Sequence, residues 1–274
     1  MAFLTLYPFW YILVGSLNDG MDYMKGGVYF WPREFTIMSY QTVFGYADIV
    51  DAYLVTIART ILGTASHLIF TGIFAYAFKK RDLAFKGVYA TICIIPMFFG
   101  GGLIPYYMLI RQIHLYDNFL VYIIPGLFSF YNVLIFQAFF REIPDSIVES
   151  AKIDGAGEYR IFFSLILPIS KPVFAALALF TAVGHWNSYY DSLLFTQSNA
   201  LQTVQLFLMR IIRSKDFAAT LSVQIPTVGI EARKPSSTTI QYATMICTAL
   251  PIIVIYPFLQ KYFTKGLLIG AVKG

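Results

Sequence analysis

The chain has 274 residues and a formal charge of +5, with 58% hydrophobic but only 13% charged residues. A soluble domain carries about 25% charged residues, so this composition excludes an ordinary water-soluble protein. The apolar excess recurs along the whole chain and implies a polytopic helical membrane protein. The basic residues lie between apolar runs and form no continuous stripe, which argues against nucleic acid and for anionic lipid headgroups.

The first apolar run, Phe3 to Leu17, is short for a span, which needs about 20 residues. It has neither a basic leader nor a small-residue cleavage site, so it reads as a first transmembrane helix, shortened at its N-terminus, rather than a signal peptide. Residues 18–51 form a long extramembrane loop broken by Gly20, Gly26, Gly27 and Pro32, with Trp31 and Tyr40 as interface or packing aromatics. Ala52 to Phe78 is the second span. Its Arg59 is expected to snorkel to the headgroups, and its His67 to be a satisfied packing histidine.

Lys79, Lys80, Arg81 and Lys86 then cluster in a short loop, and positive loops stay cytoplasmic. The third span, Val88 to about Ile110, is interrupted by Pro96 and by Gly100, Gly101 and Gly102. Such breaks suggest an unwound helix beside a pathway, with close packing as the rival. Phe119 to Phe140 is the fourth span, and Pro172 to Phe195 the fifth. Residues 196–239 form a long polar outer loop with Arg210, Arg213, Lys215, Arg233 and Lys234, a solvated face in the first instance. Ile240 to about Tyr262 is the sixth span, with a tail from Phe263 to Gly274. Cys93 and Cys247 sit inside apolar runs and make neither a disulfide framework nor a zinc site. The result is one transmembrane domain, residues 1–274, with six spans and both termini cytoplasmic.

The stretch 142–171 is polar and lies between two spans. Pro144 and Asp145 mark a helix start, and Ser146 with Glu149 reads as a capping box. The helix runs to about Ile153, and Asp154-Gly155 breaks it. A second amphipathic run from about Gly157 to Leu167 places Ile161, Phe162, Leu165 and Ile166 at helical spacing, with Pro168 expected to end it. Two short helices meeting at a sharp turn suit docking in a partner's groove or lying on lipid; the residues alone leave both open.

Glu149-Ser150-Ala151, then Asp154-Gly155-Ala156, then Leu165-x-Leu167-Pro168 resembles the EAA loop of ATP-binding-cassette importer permeases, with Ser150 and Leu165 as mild departures. Lys265-Gly266 and Gly270 to Lys273-Gly274 resemble the C-terminal tail of the maltose-type second permease subunit. The resemblance implies the all-α, six-helix type I importer permease fold in a bacterial inner membrane. It also implies a second homologous permease, two ATPase subunits, one of which seats the loop in a cleft while the tail reaches down between the two, and an extracytoplasmic solute-binding protein. Such a chain is not an enzyme. It has no phosphate-binding Gly-rich loop and no HExxH motif, so ATP and magnesium belong to the partner ATPases, and no cofactor, metal or catalytic residue is assigned to it.

The implied cargo is a carbohydrate of the oligosaccharide class, with an acidic saccharide such as a uronide as one use for the outer cations. Trp186, Asn187, Tyr189, Tyr190 and Asp191 supply sugar-binding chemistry near the end of the fifth span, with an aromatic belt as the rival. A permease for another solute, a secondary transporter and a membrane-embedded enzyme are the competing functions. The last two would want mid-span carboxylates or a metal cluster, which the spans lack.

Overall fold

The computed structural model describes residues 2–46, 48–80, 82–213 and 235–271, and beyond 257 the backbone only. Every regular element among the described residues is helical, beside one isolated bridge between Asn18 and Phe35. The chain divides into two compact units, Met1–Ile57 with Asn187–Ile255, and Ala58–Trp186 with Tyr256–Gly274.

In the first unit, α1 (Ala2–Ser16) is an apolar helix, and α2 (Gly20–Met24) and α3 (Met38–Phe44) punctuate the long loop after it. Asp19 caps α2 by accepting from the amides of Met21 and Asp22. Buried Asn18 accepts from the amides of Arg33 and Glu34 and donates to the Asp22 carboxylate, while Arg33 Nε donates to that carboxylate at 3.0 Å. The loop is therefore a closed polar knot. Asn18, the largest of these terms, holds the Asp22 carboxyl below its ordinary range, with help from Arg33 and Lys25. Tyr40 takes the packing role and hydrogen bonds to Ser16, whereas Trp31 stands exposed against the Trp10 ring.

The second span appears as α4 (Ile49–Lys79), 31 residues long and ample for a bilayer crossing. The third differs from a single kinked helix. α5 (Lys86–Phe98) and α6 (Leu103–Gln112) meet at 119°, so the chain folds back. Gly102, at φ +83°, makes the reversal possible, and open space around Gly100 and Gly101 excludes close packing within this chain as the reason for those glycines. The fourth opens with two 3-10 turns, Phe119–Tyr122 and Ile124–Gly126, before α7 (Phe130–Arg141), bent by 51°. The bend takes the Gly126 and Leu127 carbonyls out of the helical ladder. His67 and Thr71, one turn apart on α4, bond them at 2.7 and 3.2 Å.

After the polar loop, α11 (Lys171–Asn187) stops short of the expected fifth span, and α12 (Tyr190–Phe195) follows a two-residue break. The expected outer loop contains α13 (Val204–Arg213), an amphipathic helix that buries Val204, Phe207 and Ile211 and exposes Arg210 and Arg213. Thr56 caps it by accepting from the Val204 amide at 2.9 Å. Lys215, Arg233 and Lys234 lie outside the described residues. α14 (Ser237–Ala271) runs through Pro251 and Pro257 and takes in most of what reads as a tail. Among the described residues, α4 and α14 are alone long and apolar enough to span a bilayer, and three bent pairs, the third being Glu158–Ile169 with α11 at 83°, bring the number to five if each is one span.

Arg59 differs from expectation. It is 1% exposed, with its guanidinium 4.4 Å above the Tyr122 ring. A buried aromatic face stabilises the cation where snorkelling would have carried it to water. His67 is satisfied: Nδ1 donates to Gly126, leaving Nε2 to accept from Asn132 at 2.8 Å.

Candidate functional site

The stretch 142–171 belongs to the second unit and is rooted in that unit's core. α8 (Asp145–Ile153) starts after Pro144, which supplies no side-chain cap. The expected capping box does not form, because a helix beginning at Asp145 puts Ser146 inside its first turn. Asp145 instead pairs with Lys79 on α4 at 3.1 Å, and Lys79 also donates to the Ile143 carbonyl.

The turn after α8 is a Schellman motif. The Gly155 amide bonds the Lys152 carbonyl at 3.0 Å, the Ala156 amide bonds the Ala151 carbonyl at 2.9 Å, and Gly155 sits at φ +77°. Nothing lies within 4 Å of where a Gly155 side chain would start, so the backbone angle, and not crowding, requires the glycine.

Beyond the turn, α9 (Glu158–Ile161) passes into a π-helical turn over Phe162–Ile166 and then α10 (Leu167–Ile169). Pro168 therefore does not end the helix. Its ring would clash with the Ser164 carbonyl in a regular α-turn, and the wider π turn moves that carbonyl aside. Ile161, Phe162 and Ile166 join Phe136, Phe140, Val173 and Tyr76 in one buried cluster. Ala151, Ala156, Leu165 and Leu167 pack half-buried on it. Glu149, Ser150, Asp154, Gly155 and Pro168 remain exposed, as do Ile153 at 86% and Tyr159 at 73%. The loop is a knob with an apolar root and a bare tip.

A residue the sequence reading passes over fixes the knob's stance. Glu158 accepts from Lys80 Nζ at 2.6 Å, from Lys152 Nζ at 3.3 Å and from the Tyr76 hydroxyl at 2.8 Å. The Lys80 bond, followed by those of Tyr76 and Lys152, outweighs burial and holds the Glu158 carboxyl down at about 2. Lys79 and Lys80, legible only as an orientation signal, are thus also the clamps that tie α8 and α9 to the end of α4. A lone Glu next to a Tyr-x-x-Lys-Lys end of a distant helix carries no local signal.

The five aromatic and polar residues after the fifth apolar run do not converge. Trp186 is buried, Tyr190 is exposed with its ring edge-on to Tyr189, and Asp191 accepts from Ser188. Asn187 alone of them lines a groove of about 360 Å³ in the first unit, with Phe9, Gln205, Leu208 and Thr248. Arg210 donates to Gln202, eight residues earlier in the chain, so this outer cation is partly engaged. Lys265, Gly266 and Gly270 lie on the described backbone of α14, and Lys273 and Gly274 lie outside the described residues.

Residues 68–269 match the family model of the binding-protein-dependent transport system inner membrane component. The chain belongs to this family. The permease is 35% identical over 271 residues to Protein LplC of Bacillus subtilis (strain 168), covering 99% of this chain and 90% of that one. It is 30% identical over 273 residues to the polygalacturonan/rhamnogalacturonan transport system permease protein YtcP of the same organism, covering 100% and 94%. A bacterial ABC transporter involved in the import of the acidic polysaccharide alginate contains a chain that superposes with a TM-score of 0.86 at 28% identity, covering 96% of this permease and 92% of that chain. The all-helical architecture is therefore that of ABC importer permeases, and the permease is an inner-membrane transport protein and not an enzyme. The matched range begins within α4 and takes in the whole knob, its clamps and all but the last two residues of α14.

Proposed function

We propose that this permease forms one half of the pathway of an ATP-driven carbohydrate importer and that the knob at 142–171 is its coupling surface for a cytoplasmic ATPase. The observation that carries this is the pairing of a bare tip, with Glu149 and the Gly155 turn, and a root continuous with the core of the second unit. A partner that pushes the tip moves α4, α7 and α11, because the root packs on all three. Nucleotide acts through such a surface only by favouring one state of the pathway over another.

Six membrane segments serve this role: α1, α4, α5 and α6 crossing together as one broken span despite the sharp bend, the turns from Phe119 with α7, α11, and α14. Both termini and the knob then lie in the cytoplasm, where Lys79, Lys80 and Lys86 favour them. α5 buries none of its side chains; a second, homologous permease covers part of it, and lipid the rest. The end of α14 and the residues after it, Lys265 to Gly274, reach the ATPases.

The cargo is an oligosaccharide, and an acidic one is supported by the relatives that carry pectic and alginate polymers. Asn187, Gln205, Thr248 and the ring of Phe9 give a groove the amides, hydroxyl and flat apolar face that saccharides use. Tyr189, Tyr190 and Asp191 line the approach, and a solute-binding protein delivers the sugar on that side.

Glu149→Lys in the reconstituted transporter tests the coupling role. ATP-driven uptake and copurification of the ATPase should both be lost; unchanged uptake with the ATPase retained would sink the assignment.

A further inference from the structure

A cavity also lies at the knob's root, within the second unit. It holds about 820 Å³ and opens between the end of α4, the start of α5, the end of α7 and α8. Five cations line it: Lys79, Lys80, Lys86, Arg141 and Lys152. Facing them are three carboxylates, Asp82, Asp145 and Glu149, so the wall keeps a positive surplus.

The cations come from the points where apolar segments stop. The apolar run of α4 ends at Phe78 before Lys79, that of α7 ends at Phe140 before Arg141, and α5 begins its apolar run after Lys86. Three membrane segments thus place charge at one level, the level of the headgroups. Several of these charges are already committed: Lys79 to Asp145, Lys80 and Lys152 to Glu158. Two are not. Lys86 donates to the Lys80 carbonyl at 3.0 Å and lies 5.3 Å from the Phe78 ring centre, with no carboxylate partner among the described residues. Arg141 is exposed and has no ion pair among them.

We infer that this cavity binds the headgroup of an anionic glycerophospholipid of the inner leaflet, its phosphate on Lys86 and Arg141. A free phosphate offers the same chemistry to the two cations. It does not offer acyl chains to the exposed apolar side chains of α5, Val88 and Ile92 among them, nor glycerol hydroxyls to Asp82. A basic pocket between membrane segments at the cytoplasmic boundary is the usual seat for such headgroups. A bound headgroup braces α8 against the ends of α4 and α7. The inference rests on the proposed orientation only for the leaflet it names.

The test uses the intact transporter in nanodiscs of phosphatidylglycerol mixed with phosphatidylcholine, released into native mass spectrometry. One phosphatidylglycerol per copy of this chain should be retained. Lys86→Gln with Arg141→Gln should weaken retention about 25-fold, roughly fivefold for each cation removed. Lys86→Arg with Arg141→Lys should keep it. A large excess of inorganic phosphate should leave it in place. Equal retention by the neutral double variant would overturn the inference, as would loss in the charge-preserving one. Ready displacement by phosphate would assign the cavity to a free anion, and retention only after removal of the ATPases would assign it to them. ATP-driven uptake, measured on the same samples, reads the transport proposal separately: uptake lost with lipid kept strikes at coupling and leaves this site standing.

Discussion

Two of the polar stretches that interrupt this apolar chain are each organised around one carboxylate. In the loop after α1, Asp22 takes its partners from Asn18, Lys25 and Arg33, all within 11 residues. In the knob, Glu158 takes two of its three partners from Tyr76 and Lys80, 82 and 78 residues back on α4 and just past its end. The first network closes on itself and makes a loop rigid. The second joins a surface element to a membrane helix, and a force on one is felt by the other. Local charge satisfaction stiffens a loop; long-range charge satisfaction ties a surface element to a helix, which on the proposed coupling role makes it a lever.

The sharpest way to break the comparison is at the knob's turn. Gly155→Val forces a β-branched residue to φ +77°, at a cost of about 1–2 kcal/mol, with no clash to share the blame. ATP-driven uptake should fall by an order of magnitude or more while membrane insertion, followed by protease protection, stays intact. A smaller effect is expected at the lever's fixing point. Glu158→Gln keeps the Tyr76 hydrogen bond and removes the charge that Lys80 and Lys152 face, so uptake per ATP hydrolysed should drop several-fold while the ATPase still copurifies. Equal losses of uptake and of ATPase binding would mean that Glu158 is merely part of the docking face.

The pH dependence sharpens the same point. Glu158 is held at about 2, below the ordinary value of 4.5, so its clamp stabilises the folded knob fully above about 4.5. The contribution fades as pH falls from there through about 2. Protease sensitivity of the 142–171 segment, in a detergent-solubilised sample, should rise across that window in the parent chain and stay flat in Glu158→Gln. The smallest effect belongs to the closed knot. Asp22→Asn should lower the melting temperature, read by intrinsic fluorescence, and leave uptake per molecule unchanged. A coupling defect there would erase the distinction between stiffened loop and lever.

What the sequence discloses follows the range of the forces involved. The helix of α8, its stop at Asp154-Gly155 and the half-buried Ala151, Leu165 and Leu167 are local or periodic features, and the structure has them where spacing places them. The π turn before Pro168 and the missing cap at Ser146 depend on how α8 and α9 seat on α4, α7 and α11, which no window of neighbours contains. Glu158 was silent for the same reason: its partners lie far back in the chain. The fold-back at Gly102 was half legible, since three glycines announce a break but not its angle. Arg59 shows the opposite failure. Its position near a span end favoured water, and the Tyr122 ring, 63 residues away, overruled it.

The central claim is that the bare tip of the knob touches the ATPase. A photo-crosslinking residue in place of Ile153, 86% exposed at the end of α8, tests it most directly. Illumination of the assembled transporter should give an adduct with the mass of this permease plus one ATPase subunit, lost when Glu149→Lys is added. Adducts with lipid alone, or an ATPase adduct indifferent to Glu149→Lys, would contradict the account.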